Sequence, residues 1–358
     1  MRSRTRHHAI HAAPAGTTSN SGGTPQAAPP VSVPFTTVTN LGTGTLGLRS
    51  QHVVASWNGL PIVVMFDGGK VYVVELNGTR HVVASVSGYP NPTISSGGGR
   101  VVVYWQNGPQ IKSSTSTDLT VWSKAVTVAT VDAGGPIPCA SYTPSGHVLV
   151  WVSVPKTSST GGMDGYGPLY VGRTLDGASW VITKIADRSA LAVCAEGGDL
   201  VISKDEARNG GATGLNAMMT YHLDGSAATL IGYGFDAAIA TDGTTIAVGY
   251  HVGVAAHVLV SKDAGKSWTD TTVDPDGKFV QVGVTAGSVS AIWVDFPDAA
   301  SANDPRGTDT THRATAWVDG TVYKLNNGEG STLQGNLGIV AGKPVAVYTV
   351  NGTVMLAQ

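Results

Sequence analysis

Charged side chains are scarce in this chain. Only 13% of its 358 residues are Asp, Glu, Lys or Arg, about half the share that is usual in soluble domains. The net charge is −2, and the body of the chain has no run of basic residues interleaved with aromatic ones, so a nucleic-acid footprint is missing. We therefore expect no nucleic acid as a partner of the folded part.

Cysteine is also rare, with only Cys139 and Cys194. Two cysteines are too few for a disulfide framework, and their spacing is not typical of a metal site. Both fall in short apolar runs that we expect to form the innermost strands of neighbouring sheets. A disulfide between them is one alternative, but buried free thiols fit better because Cys packs as a small apolar side chain. The sequence predicts no metal and no other cofactor.

Long hydrophobic runs are missing as well. The first residues contain one large aliphatic side chain, Ile10, where an export signal needs an apolar stretch of about seven residues or more. We therefore expect no signal peptide, no transmembrane segment and no membrane partner.

Residues 1–34 differ in composition from the rest of the chain. They are rich in Pro, Ala, Gly, Ser and Thr and carry Arg2, Arg4 and Arg6, whereas the first acidic residue is Asp67. Such a segment cannot bury a core. We predict an extended basic arm at 1–34, which anchors the chain to other subunits through these arginines, and a folded domain at 35–358. A floppy tail is the alternative to the anchor.

Glycine and small or β-branched residues dominate the body, which favours an all-β fold. Three stretches repeat one turn: Ser116–Trp122, Thr174–Trp180 and Ser261–Trp268. In such a turn the Asp carboxylate accepts backbone hydrogen bonds, a small or flexible residue follows, and the Trp returns on the next strand to pack between sheets. We therefore predict a structural role for Asp118, Trp122, Asp176, Trp180, Asp263 and Trp268.

These three turns resemble the Asp-box, or BNR repeat, of sialidase-like β-propellers. The resemblance implies a ring of four-stranded blades, with the boxes on the face opposite the binding pocket. The spacing of the outer turns suits such blades. We predict a seven-bladed propeller with whole units at 47–87, 92–131, 135–187, 189–233, 235–275 and 277–327. The seventh begins near 331 and is completed by residues 35–39 from the other end of the chain; six blades are the alternative if the terminal units merge.

Long insertions fall where the second and third strands of a unit are joined, and long loops in a compact β fold tend to be functional. Their aromatic and polar side chains suit sugar hydroxyls; solvated loops or subunit contacts are the alternatives. We predict a ligand-binding rim of Lys156, Asp164, Tyr166, Asp205, Arg208, Asn209, Asp295, Phe296, Asp304 and Arg306. The acidic loop also offers oxygen ligands for calcium at Asp295, Asp298, Asn303, Asp304 and Asp309, although the spacing matches no defined calcium loop.

The resemblance also implies a hydrolytic alternative. The family uses an arginine cluster, a Tyr nucleophile paired with Glu, and an Asp acid/base, and the corresponding candidates here are Glu206, Tyr166, Arg208 and Arg313. Arg49 and Arg100 occupy comparable early positions, but the Arg-Ile-Pro signature is missing. Nothing in the spacing demands catalysis, so the sequence favours a non-catalytic protein and leaves the enzymatic alternative, a glycoside hydrolase, open.

The functional hypothesis that we favour is a virion structural protein of a bacteriophage, tail or capsid-associated, whose propeller binds a host-surface glycan or another virion protein. Asp-box propellers usually work outside the cytoplasm, and a phage protein reaches the exterior by lysis without an export signal. The expected location is therefore the virion, with an extracellular location as the alternative. A sialidase-like glycoside hydrolase and a bacterial interaction scaffold remain the alternative functions.

Overall fold

The computed structural model describes residues 34–47, 52–131, 137–153, 167–189, 191–195, 197–205, 216–226, 229–295, 312–326 and 334–358. These residues form 27 strands and no helix, so the predicted all-β class is confirmed for the described part. No helix long and apolar enough to cross a membrane occurs among them.

Three four-stranded antiparallel sheets follow the first strand, β1 (Val38–Thr43). The first contains β2 (Val54–Trp57), β3 (Leu60–Asp67), β4 (Lys70–Glu75) and β5 (Arg80–Ser85). The second contains β6 (Thr93–Gly97), β7 (Arg100–Asn107), β8 (Gln110–Ser116) and β9 (Val126–Thr130). The third contains β10 (Cys139–Thr143), β11 (Gly146–Val152), β12 (Gly167–Thr174) and β13 (Val181–Ser189). In each sheet, neighbours in space are neighbours in sequence.

The next sheet has seven strands. They are β14 (Leu191–Cys194), β15 (Leu200–Asp205), β16 (Asn216–His222), β17 (Thr229–Thr241), β18 (Ile246–Val252), β19 (Ala255–Ser261) and β20 (Thr269–Asp274). The 13-residue β17 pairs with β16 through its first half and with β18 through its second half. The predicted units 189–233 and 235–275 are therefore joined in one sheet, and seven separate four-stranded sheets are not confirmed.

Two more four-stranded sheets complete the described part. One contains β21 (Gly277–Thr285), β22 (Ser288–Asp295), β23 (Arg313–Val318) and β24 (Thr321–Lys324). The other has the order β1, β27 (Thr353–Ala357), β26 (Lys343–Val350), β25 (Gly335–Val340).

The two ends of the folded part meet in this last sheet. Strand β1 pairs antiparallel with β27, with Val38 opposite Ala357. Thr37 and Gln358 exchange backbone hydrogen bonds of 3.1 and 3.0 Å. The predicted completion of the last unit by an N-terminal strand is therefore observed, although the strand begins at Val38 instead of residue 35. This pairing supplies the fourth strand of the sheet and joins the two ends of the folded part.

The sheets form a propeller-like ring. Their first strands contact one another in a closed cycle, from β2 through β6, β10, β14, β17, β21 and β25 back to β2. Because each sheet packs between two others, its second strand is buried on both faces; all seven residues of β11 are buried, for example. A cavity of about 350 Å³ lies where the first strands meet.

The meander order gives the ring two distinct faces. Turns that join first to second strands and third to fourth strands emerge on one face, which carries the three Asp-box turns and is called the box face below. Connections between second and third strands, and between successive sheets, emerge on the opposite face, called the loop face.

Candidate functional site

The Asp-box carboxylates are held by their own turns. Asp176 Oδ1 accepts hydrogen bonds from the backbone N–H groups of Ala178 and Ser179, both at 2.8 Å, and one from the Thr174 hydroxyl at 2.9 Å. The same hydroxyl accepts from the N–H of Gly177 at 2.9 Å. Because these bonds favour the charged form, led by those from Ser179 and Ala178, the pKa of Asp176 lies far below its usual range.

The other two boxes repeat this geometry. Asp118 Oδ1 accepts from the N–H groups of Thr120 and Val121 at 2.8 and 2.9 Å, and its pKa is lowered chiefly by the bond from Val121. Asp263 accepts from the side chain and the backbone N–H of Ser267, which lower its pKa to about 2. The three box carboxylates thus accept hydrogen bonds from their own turns. That these residues have a purely structural role stays a prediction.

The three box tryptophans differ from one another. Trp122 donates its indole N–H to the carbonyl of Leu119 at 2.8 Å. Trp180 packs edge-on against Tyr104 with ring centroids 5.7 Å apart, and its buried N–H has no partner among the residues described. Trp268 lines a surface cavity beside Tyr221. The expected indole-to-carbonyl bond is therefore present at Trp122 and missing at Trp180.

Arg100 belongs to the box face. It begins β7, directly after the turn from β6, and its guanidinium donates to the carbonyl of Asp176 at 2.9 Å. This bond to the box of the next sheet holds Arg100 on the face opposite Arg313. Arg49 lies outside the described residues.

Most predicted site residues also lie outside the described residues. These are Lys156, Asp164, Tyr166, Glu206, Arg208, Asn209, Phe296, Asp298, Asn303, Asp304, Arg306, Asp309 and the arm residues Arg2, Arg4 and Arg6. Asp205 is described only as the last residue of β15. The candidate site is therefore built from Asp295, Arg313 and the described residues around them.

Asp295 and Arg313 face each other on the loop face. Asp295 ends β22, Arg313 begins β23, and the two are directly opposite in the strand register. Burial raises the pKa of Asp295, the nearby Asp274 carboxylate raises it further, and Arg313 only partly offsets the two. The result is a half-buried carboxyl group that holds its proton more tightly than an ordinary Asp.

Asp274 is fixed at the end of β20. Its Oδ2 accepts the indole N–H of Trp293 at 2.7 Å, and its Oδ1 accepts the backbone N–H of Asp276 at 2.9 Å. Trp293 is almost completely buried and lies on β22, two residues before Asp295. The sequence alone did not identify Asp274 or Trp293, because only the packing of β20 against the following sheet brings them to Asp295.

An aromatic stack lies on the same face of the ring as these carboxylates. The His251 ring lies parallel to Phe235 with centroids 5.4 Å apart and meets Phe279 edge-on at 6.1 Å. Its Nδ1 lies 3.0 Å from the carbonyl of Gly253, and its Nε2 lies 3.2 Å from Asp236 Oδ2. Both partners are hydrogen-bond acceptors.

The backbone beside this stack is strained. Asp236 and Phe279 have positive φ angles of 47° and 62°, in bulges at the start of the β17–β18 and β21–β22 pairings. Non-glycine residues in this region cost on the order of 1–3 kcal/mol and concentrate at functional sites. Phe279 packs against Val294, the neighbour of Asp295. We define the loop-face cluster as Phe235, His251, Asp274, Phe279, Asp295 and Arg313.

Comparison with known proteins gives a fold but no family. No protein-family model matches the chain, and no curated protein matches it. An oligogalacturonate lyase in complex with manganese superposes with a TM-score of 0.59 at 14% identity, covering 90% of this chain and 92% of that one. A prolyl endopeptidase structure superposes with a TM-score of 0.51 at 15% identity, covering 87% of this chain and 47% of that one.

A Trypanosoma rangeli sialidase in complex with sialic acid gives a TM-score of 0.46 at 15% identity, covering 85% of this chain and 59% of that one. The chain thus spans about half to three fifths of the endopeptidase and the sialidase. At 14% and 15% identity, the likeness to the lyase and the endopeptidase shows a propeller-like all-β fold and carries no activity with it.

Proposed function

We propose that the loop face binds a polyhydroxylated ligand such as a surface glycan, and that the chain is a non-catalytic binding protein. The observation that carries this proposal is the loop-face cluster, in which aromatic rings lie on the same face of the ring as two carboxylates and a guanidinium. Aromatic surface together with a few fixed polar groups is the combination that orients small polar ligands.

The chain connectivity supports the same face. Segments 154–166, 206–215 and 296–311 connect β11 to β12, β15 to β16 and β22 to β23, so each begins and ends on the loop face. These segments hold most of the predicted rim residues, among them Tyr166, Arg208 and Arg306. The last of these segments follows Asp295, the final residue of β22, and precedes β23, whose first residue is Arg313.

A glycan array probed with the full chain tests this proposal. We expect binding of a defined set of glycans, and a loss of about tenfold or more in affinity for Arg313→Gln, because hydrogen bonds from a charged group contribute about 1.5–3 kcal/mol. Arg173→Gln is the matched control, since it removes one cation near the box turn of β12. Equal losses in both variants, or no glycan bound at all, would contradict the proposal.

We further propose that the chain is a virion component, tail or capsid-associated, and that residues 1–34 anchor it to other virion subunits through Arg2, Arg4 and Arg6. The support is the composition of this segment, which is basic and Pro-rich and suits ordering on a partner. Another virion protein is then the alternative ligand of the loop face. Electron microscopy of the native particle should show residues 1–34 buried against a different subunit; particles that lack this chain would overturn the role.

We propose seven blades, with the seven-stranded sheet counted as two blades that share β17. The closed cycle of seven strands supports this count, and so does the central cavity, which is lined by residues of six of these strands and by Gly197, in the turn after β14. An experimental structure should show the two halves of β17 in blades that diverge at the bulge between Phe235 and Ala238. One continuous sheet with a single twist across β14–β20 would contradict this count.

One observation favours a glycoside hydrolase as the second candidate function. A half-buried carboxyl group with a raised pKa suits a general acid, and Asp295 is such a group. If this candidate is right, the chain hydrolyses aryl glycosides, including sialosides, and Asp295→Asn abolishes turnover. Unchanged turnover in Asp295→Asn would remove Asp295 from that role, and Glu206→Gln then tests the other predicted carboxylate.

A further inference from the structure

Three buried side chains that are far apart in sequence meet near the axis of the ring. One ring nitrogen of His52 and the sulfurs of Cys139 and Cys194 are three candidate ligand atoms that all lie within 4.8 Å of one another. Cys139 begins β10 and Cys194 ends β14, both first strands, as predicted. Both cysteines are free thiols and fully buried.

We propose that His52, Cys139 and Cys194 form a binding site for a thiophilic metal ion of the zinc class. Thiolate and imidazole together are the donor set that such ions select over oxygen-seeking cations like calcium or magnesium. Three protein ligands leave one coordination position for water or another ligand.

The distance between the two sulfur atoms is closer to the distance in a zinc site than to the distance in a disulfide. The two Sγ atoms are 3.3 Å apart. A tetrahedral zinc ion with zinc–sulfur bonds near 2.3 Å holds two sulfurs about 3.8 Å apart, whereas a disulfide requires about 2.0 Å. The thiols therefore need to separate by roughly 0.5 Å to admit the ion, but to approach by roughly 1.3 Å to form the covalent bond.

The histidine is oriented as a metal ligand requires. His52 Nδ1 lies 2.8 Å from the carbonyl of Ala140, which can only accept, so Nδ1 carries the proton and Nε2 keeps its lone pair. A backbone acceptor on one ring nitrogen fixes the tautomer and the orientation of a histidine whose other nitrogen binds a metal.

A second layer of hydrogen bonds holds the backbone around the cluster. The buried hydroxyl of Thr93 donates to the carbonyl of His52 at 2.8 Å and accepts from the N–H of Ala140 at 3.1 Å. One side chain of β6 thus ties the segment before β2 to β10. The positions of His52 and Cys139 are fixed by this bridge before any ion binds.

The central cavity provides a route in for the ion. His52 and Ser141 line this cavity of about 350 Å³, which also contacts Ala140. Ser141 lies two residues after Cys139 on β10, so both side chains are on the same face of the strand. The cluster therefore borders the cavity through His52.

Cobalt titration of the reduced full chain under anaerobic conditions tests the site. Co²⁺ replaces zinc and reports thiolate ligation by sulfur-to-cobalt charge-transfer absorption in the near ultraviolet, with visible bands that report a four-coordinate ion. We expect one cobalt per chain, displaced by Zn²⁺, and loss of the charge-transfer absorption in Cys139→Ser and in Cys194→Ser.

A control variant distinguishes metal binding at this cluster from metal binding at the histidines near the start of the chain. The triple variant His7→Ala, His8→Ala, His11→Ala removes side chains that bind metal adventitiously and should keep the full charge-transfer signal. His52→Ala should keep thiolate absorption but change the visible bands. X-ray absorption of the zinc-loaded wild type provides a readout that needs no variant, with two sulfur neighbours and one imidazole expected.

Three results would overturn the proposal. They are no cobalt bound by the reduced protein, a charge-transfer signal that persists in the Cys139→Ser, Cys194→Ser double variant, and a Cys139–Cys194 disulfide in the folded protein that reductant does not open.

Discussion

The two faces of the ring hold their carboxylates in opposite electrostatic states. On the box face, Asp118, Asp176 and Asp263 accept hydrogen bonds from their own turns, and the pKa of each is lowered. On the loop face, Asp295 is half buried beside the Asp274 carboxylate, and its pKa is raised. The first arrangement stabilises the folded chain whenever the carboxylate is charged, whereas the second costs stability and is expected where a ligand is bound.

The largest expected effect tests the packing of the box face. A Cβ on Gly177 would lie 2.1 Å from Thr115 Cγ2 of the neighbouring sheet, so Gly177→Ala forces the two sheets apart. We expect a loss of about 1–3 kcal/mol from overpacking, in addition to about 1–2 kcal/mol for the left-handed backbone. Chemical denaturation measures the free energy of unfolding.

Gly99→Ala is the matched control for this change. Gly99 has a φ of 75°, against 73° for Gly177, and a Cβ there would meet nothing within 4 Å. Equal losses of unfolding free energy in the two variants would show that the Asp-box turn of the third sheet does not pack against the second sheet.

A smaller difference is expected between two box tryptophans. Trp122→Phe removes the hydrogen bond to Leu119, whereas Trp180→Phe removes an N–H that has no partner in the described part. Trp122→Phe should therefore cost about 1 kcal/mol more than Trp180→Phe. Thermal and urea unfolding of the two variants side by side check this; a larger loss at Trp180 would contradict the assigned contacts.

The pH dependence of stability should change at Asp263. Because its folded pKa is about 2, below the ordinary Asp value of about 3.9, the charged carboxylate stabilises the fold above pH 4 and this contribution is lost as the pH falls towards 2. Asp263→Asn should be less stable than wild type at pH 7 and should converge with it near pH 2. Lys266→Gln, which keeps the carboxylate, should retain the wild-type pH profile; parallel profiles for wild type and Asp263→Asn would contradict the box geometry.

The smallest effect is expected at Asp295, with the opposite sign. Because its folded pKa is raised, ionisation costs folding free energy as the pH rises above the ordinary Asp value. Asp295→Asn should therefore be slightly more stable than wild type at pH 7 and equal to it below about pH 4. Urea midpoints at the two pH values measure the difference, and a destabilised variant at pH 7 would show that the carboxylate is favourably paired.

The parts of the fold that the sequence predicted correctly are those that short stretches of residues specify. The box turns are specified within about eight residues, and the pairing of the N-terminal strand with β27 follows from an incomplete last unit. The fusion of two predicted units was missed, because β17 continues through Tyr233 to Ala237 in a region that sequence reasoning divided between units. A bulge, which has no short-range signature here, bends the strand without ending it.

Less of the candidate site than of the fold could be predicted from the sequence. Asp295 was predicted as part of a long insertion, and Arg313 as one of the hydrolytic candidates that the resemblance implies. Asp274, His251 and Phe279 become neighbours only when successive sheets pack together. The same reason hid the metal cluster, since His52 and Cys194 come from separate sheets and their sequence spacing matches no metal motif.

Carbon-detected NMR of the Asp side-chain carboxyls over a pH titration tests the contrast between the faces most directly. We predict that Asp118, Asp176 and Asp263 stay ionised to below about pH 3.9, while Asp295 takes up its proton above that pH in the same sample. Asp295 titrating together with the box carboxylates would contradict it.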